Sequence, residues 1–184
     1  MLEVGLNYFL IERDYCYAGL VIPEYDKKKL ELFDLKSNFD DFDTKSIELK
    51  FPDHLDEGQK TDADVTTVYT RMIFLNNEIL KMESILNKYG KLVPFIFKEK
   101  FIYLYWIKNS IDAVDYEKSK LNLAPYGYIR SFERIILKND VIDENEIFCL
   151  PKDNNIVFIS KKIKEQFEYL KITKGIRFRL IEIV

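Results

Sequence analysis

By type and spacing, the residues best suited to chemistry are two aspartates, Asp112 and Asp115, in the segment NSIDAVDYEKS. Two carboxylates three residues apart can divide acid and base work between them, or share a divalent cation. Either use needs a third group, and neither a further ligand nor a partner base stands near them in the sequence. The pair therefore reads first as a turn or cap at the end of a strand, where aspartate oxygens accept backbone N–H bonds. A small metal-dependent hydrolase or nucleotide-processing enzyme using Asp112 and Asp115, helped by the single histidine, His54, is the alternative.

A second acidic group, Asp40-Asp41-Phe42-Asp43, lacks the glycine and the closing bidentate glutamate of a calcium loop. It reads as a solvated loop, or as a negative patch that steers a basic partner. His54 has no other metal ligands at useful spacing and reads as a loop residue. The chain has no glycine-rich phosphate loop, no GxSxG, no HExxH and no Cys–His pair in a suitable context, and its six glycines leave few places for backbone to approach a phosphate. The expectation is a protein with no catalytic residues, no metal site and no cofactor.

Composition narrows the class further. A formal net charge of −3 argues against nucleic-acid binding driven by phosphate attraction. The N-terminal MLEVGLNYFLIERDY is interrupted by Glu3 and Glu12 and does not read as a signal peptide, and no apolar run approaches the ~18 residues of a membrane span. Cys16 and Cys149 are far apart and outside any CxxC pair, so two free, buried thiols in a cytoplasmic protein are expected. At 184 residues and 47% hydrophobic, the chain suits one domain spanning residues 1–184. Twelve tyrosines and fourteen phenylalanines supply core material first and interface anchors second.

The elements that must position these residues are clearest at the C-terminal end. Ile156 to Ile159 is a β-branched and aromatic run behind a turn-forming Lys152-Asp153-Asn154-Asn155, and pairs as a hairpin with Glu146 to Leu150. Ser160 sits at an N-cap position. Ile163, Phe167 and Leu170 follow on one helical face, and Gly175 closes the unit before a half-buried strand carrying Ile176, Phe178, Leu180 and Ile183. A second helix is read between Arg71 and Gly90 with Ile79, Met82, Ile85 and Leu86 on one face and Gly90 as its C-terminal stop.

The two regions are alike: Ile73 to Asn76 aligns with Val157 to Ser160, Ile79 with Ile163, Leu86 with Leu170, and Leu92 to Phe97 with the closing strand. Two related strand–helix–strand units are one reading; a common local recipe used twice is the other.

Tyr8 to Glu12, Leu20 to Ile22, Ser46 to Phe51, Phe101 to Ile107 and Tyr128 to Lys138 read as further strands. Phe101 to Ile107 is apolar on both faces and therefore central, with Trp106 buried. The fold class expected is α+β, a mixed or antiparallel sheet with two main helices; parallel pairing within each unit is a further option.

From Trp106 onward the order of features resembles an immunity-protein family of bacterial polymorphic-toxin systems. The resemblance lies in NSIDAVDYEKS (Asn109 to Ser119), FERIIL (Phe132 to Leu137), IFCL (Ile147 to Leu150), VFIS (Val157 to Ser160), the final helix, and Gly175 with IRF (Ile176 to Phe178). Cys149, where the family pattern often has a basic residue, and the inserted Leu121 to Tyr128 depart from it. The stretch from Asp62 to Asp64 and the unit from Ile73 to Phe97 fit more loosely, and residues 1–60 form a variable, acidic part before the family-like part at 61–184. The shared motifs are structural, so no functional residues carry over with them.

The resemblance implies a protein that binds and neutralises a cognate toxin by stoichiometric occlusion, with neither nucleic acid nor membrane as partner. The acidic stretch from Asp34 to Asp64 is the expected contact surface, with Asp40, Asp41 and Asp43 facing a basic toxin and Tyr25, Phe39 and Phe42 as aromatic anchors. A structural adaptor in a larger assembly is a further alternative.

Overall fold

The run KFIYLYWI alternates two sets of large side chains, and from Leu104 to Ile107 both sets are buried, so it must lie between strands and between layers. In the computed structural model, which describes residues 7–21, 49–69, 72–127, 129–142, 144–151 and 156–184, it is the inner strand of a four-stranded sheet. In chain order the strands are β1 (Tyr8–Arg13), β2 (Val65–Tyr69), β3 (Met72–Leu75), β4 (Gly90–Phe97), β5 (Lys100–Ile107), β6 (Lys120–Leu123), β7 (Ile129–Arg134), β8 (Ile136–Leu137), β9 (Ile147–Cys149), β10 (Val157–Ser160) and β11 (Ile176–Ile183).

Between them lie α1, a 3-10 segment Asn77–Met82 running into one α-helical turn Glu83–Leu86; α2 (Asn139–Ile142); and α3 (Lys161–Tyr169). One sheet has the order β2-β3-β5-β4, a second β8-β11-β1-β10-β9, and β6 and β7 form a separate hairpin. Among the described strands all pairings are antiparallel except β8 with β11. The chain is α+β with mixed, mostly antiparallel sheets, as its pattern predicts.

Both strand–helix–strand units form, and they share an arrangement. Strands β3 and β4 are each antiparallel to β5, so they run parallel to one another with β5 between them. Strands β10 and β11 are likewise parallel across β1, whose Tyr8 pairs with Ser160 on one side and Ile181 on the other. The parallel strands within each unit therefore do not pair directly; a third strand separates them. Helices α1 and α3 connect the flanking strands, and their buried residues Ile79, Met82 and Leu86, and Ile163 and Phe167, join one core with the inward residues of both sheets. At about 1.5–3 kcal/mol for each fully buried large apolar side chain, this shared cluster dominates the stability.

The outer faces carry two further clusters. Tyr8, Leu10, Phe148 and Phe158 pack under Ala113, Val114 and Ile135 on one sheet, and Phe74, Phe95, Leu104 and Trp106 pack under Leu20 and Leu49 on the other. The segment from Asn109 to Ser119 joins the sheets. Ser110 bridges Cys149, Val114 bridges Leu137, and the Asn109 side-chain amide donates to the Ile147 carbonyl at 2.8 Å.

Several expectations need correction. Gly90 does not stop a helix, because α1 ends at Leu86 and Gly90 opens β4. Its lack of a side chain serves close packing: a Cβ there would lie 2.3 Å from the Trp106 carbonyl oxygen. The strand expected from Tyr128 to Lys138 is two, since β7 pairs with β6 and β8 with β11. Leu180 is 61% exposed, because β11 is covered on its α3 face at Ile176 and Phe178 and on the opposite face at Ile181 and Ile183. Cys16 is exposed in a turn, and only Cys149 is buried; neither forms a disulfide.

Candidate partner-binding site

The two aspartates with catalytic spacing are each engaged within their own turn. Asp115 is buried, and its Oδ1 accepts hydrogen bonds from the backbone N–H groups of Glu117 (3.2 Å) and Lys118 (3.1 Å), while the Lys118 ammonium lies 3.3 Å from Oδ2. The Lys118 backbone N–H, helped by its ammonium, holds this carboxyl below the usual aspartate value. Asp112 Oδ1 accepts from the Tyr116 hydroxyl at 3.0 Å. The pair thus caps the turn that leads out of the inter-sheet segment.

His54 is exposed, and among the described residues no group of three His, Cys, Asp or Glu side chains is placed to hold a metal ion. Asp40, Asp41, Phe42, Asp43, Phe39 and Tyr25 lie outside the described residues. Several acids of the adjoining stretch that are described brace the protein's own chain. Asp53 pairs with Lys50 and Asp62 with Lys174, both at 2.9 Å, and these lysines lower the two carboxyl pKa values by hydrogen bonding. Asp64 accepts from the Asn76 side-chain amide at 3.1 Å and from the Lys174 backbone N–H at 3.4 Å, tying β2 to both units.

One end of the four-stranded sheet is built differently. There β3 and β4 finish, β2 and β5 begin, and the β4–β5 turn consists of Lys98 and Glu99, both in the left-handed region at φ 47° and 62°. Neither is glycine, so the tight two-residue turn is held at a conformational cost. Beyond the turn, Phe101 is 51% exposed and Leu80 on α1 is 40% exposed. These residues, with Tyr103, border a cleft of about 580 Å3 between the turn and the start of α1. A recess of about 50 Å3 adjoins it on the other face of the sheet, lined by Leu20, Phe51, Phe74 and Thr66, and shares Thr61, Asn76, Phe97 and Ile102 with the cleft.

The charged turn Lys98-Glu99-Lys100 in front of the apolar run is the sequence signal that its first residue, Phe101, emerges from the core. The run reads as uniformly buried without that signal.

The chain is an α+β protein with two main sheets, and its candidate surface is a cleft with no constellation of reacting groups among the described residues. Residues 98–182 match the immunity protein family (Imm11). The matched stretch begins at the β4–β5 turn and runs through β11 as far as residue 182, taking in the inter-sheet segment and nearly all of the β10–α3–β11 unit. The resemblance carried by the NSIDAVDYEKS, FERIIL, IFCL and VFIS motifs is therefore borne out over that region. No curated protein matches the chain. Among the described residues, no helix is long and apolar enough to cross a membrane.

Proposed function

We propose that this chain binds and neutralises a cognate bacterial toxin by forming a stoichiometric complex that occludes the toxin's active site or a surface it needs. The match of residues 98–182 to an immunity-protein family carries the reading. The use of Asp112 and Asp115 as turn caps supports it, because occlusion requires affinity and fast encounter and asks no reacting group of the chain. In this reading the partner is a toxin protein met in the cytoplasm, and the chain works as one domain. The family-like part from residue 61 onward is the scaffold, and the variable part before it supplies specificity. Asp40, Asp41 and Asp43 would meet basic groups on the toxin, with Tyr25, Phe39 and Phe42 as anchors.

The test is co-expression with the protein encoded in the adjacent reading frame. Growth should be rescued, and the two proteins should co-purify in fixed ratio. Reversing Asp40, Asp41 and Asp43 to lysine should slow association and flatten its salt dependence. Rescue without a complex, or turnover of a small substrate abolished by Asp112→Ala in a folded chain, would replace this reading with an enzymatic one.

A further inference from the structure

We infer that the cleft at the end of the four-stranded sheet is a socket for one side chain of the toxin, apolar along its length, tipped by a hydroxyl like that of tyrosine, and carried on a loop with a carboxylate. The inference rests on the toxin-binding reading and adds the surface and its chemistry.

Three independent features converge on this end of the molecule. The first is a buried group with nothing to bind. Thr66 is 6% exposed and its hydroxyl oxygen has no hydrogen-bond partner among the described residues, although it lines the recess. A buried polar atom left unpaired is costly, and native proteins rarely keep one without a water, ion or ligand to satisfy it. The recess has room for on the order of three or four waters by the space one water needs, which also suits the polar tip of a side chain. Leu20, Phe51, Phe74, Phe97 and Ile102 form its apolar walls and suit the body of such a group, while Thr61, Asp64 and Asn76 add polar atoms to its lining.

The second feature is Phe101, half exposed on the cleft that Leu80 also lines, which is the kind of aromatic surface that anchors interfaces. The third is charge. Lys98 lies over the Phe51 and Phe97 rings, and among the described residues neither Lys98 nor Lys100 makes an ion pair with a carboxylate. Two cations flanking an apolar opening complement a carboxylate beside the inserted side chain, and Glu99 between them disfavours a second one. The left-handed pair Lys98-Glu99 holds the rim in this shape.

Thr66→Val is the discriminating variant because it replaces the unpaired hydroxyl with a methyl of nearly the same shape, so the folded chain should be as stable as before or more so. Affinity for the adjacent-frame protein should nevertheless fall about tenfold, and Phe101→Ala should do the same through faster dissociation. Lys98→Glu with Lys100→Glu should mainly slow association. A Thr66→Val chain that is more stable and binds with unchanged affinity, together with an unaffected Phe101→Ala chain, overturns the socket while leaving the toxin-binding reading standing. A wild-type chain that fails to bind overturns the toxin-binding reading itself.

The socket is then decided separately with p-cresol, the tyrosine side chain as a free molecule. Its addition should shift the amide resonances of Thr66, Phe97 and Ile102, and the shifts should be lost in Thr66→Val. No shift at the sheet end with millimolar p-cresol overturns the socket.

Discussion

The β3–α1–β4 and β10–α3–β11 units are built on one plan and differ in where the strand between their flanks comes from. In the first, β5 follows β4 through a two-residue turn, so the inserted strand is local. In the second, β1 arrives from the other end of the chain, with Tyr8 set against Ser160 and Ile181. Their helices differ too. Ser160 caps a regular helix by accepting from the Ile163 N–H, whereas Asn76 caps a 3-10 start by accepting from the Glu78 N–H while its amide holds Asp64. The comparison teaches that a strand, a cap and an amphipathic helix are enough to build a crossover. What fills the gap between the parallel strands is left to the rest of the chain.

The largest effects should come from the glycines at the two units. Gly175 has φ +102°, and a Cβ would sit 2.1 Å from the Val65 carbonyl oxygen, so Gly175→Ala combines backbone strain with a collision against β2. A loss of about 4 kcal/mol is expected, near the upper end for single substitutions. At Gly90 the backbone is unstrained and the obstacle is the Trp106 carbonyl together with the Tyr105 ring, so Gly90→Ala should cost about 2–3 kcal/mol. Urea denaturation of the two variants measures the difference. Equal losses would mean that the positive φ contributes little and that the collisions dominate both sites.

Next come the helix anchors. Ile79 and Ile163 occupy equivalent places, both fully buried in the same core, so Ile79→Ala and Ile163→Ala should each cost about 2–5 kcal/mol. A loss under about 1 kcal/mol at Ile79 alone would show the short α1 relaxing into the space, and would separate the units energetically despite their shared plan. Loss of the caps is smaller. Ser160→Ala should cost about 1 kcal/mol, and Asn76→Ala somewhat more, because it also frees Asp64.

This equivalence of α1 and α3 was legible in the residues, since the cap and the spacing of Ile79 with Leu86, and of Ile163 with Leu170, are local signals. So was the buried, central β5, whose alternating apolar faces need cover on both sides. The strand inserted into each unit was not legible. Pairing of Tyr8 with Ser160 depends on contacts across almost the whole chain, and no local pattern announces it. Gly90 misled for a related reason: glycine after a helix resembles a stop, and only the approach of Trp106 from β5 shows its use. Among the candidate site residues, the turn-capping use of Asp112 and Asp115 could be read directly. The unpaired Thr66 hydroxyl could not, because a threonine in a β-prone run gives no sign of whether its oxygen finds a partner.

The smallest effect concerns the joint between the units, and it should appear as pH dependence. The Asp115 carboxyl closes the turn that carries the inter-sheet segment toward β8, and its pKa is lowered chiefly by the Lys118 backbone N–H, with the Lys118 side chain adding to it. A carboxyl whose folded pKa lies below its unfolded value of about 3.9 contributes stability above that value. The contribution is lost as pH falls through the folded pKa, because the proton removes the charge that the turn favours. Asp115→Asn keeps an oxygen able to accept the same backbone bonds but carries no charge at any pH. The variant should therefore be less stable than the wild type above pH about 5 and converge with it in acid, below the folded pKa. If the two denaturation curves stay parallel down the acid limb, the charge at Asp115 is not what holds the joint, and the turn is kept by oxygen geometry alone.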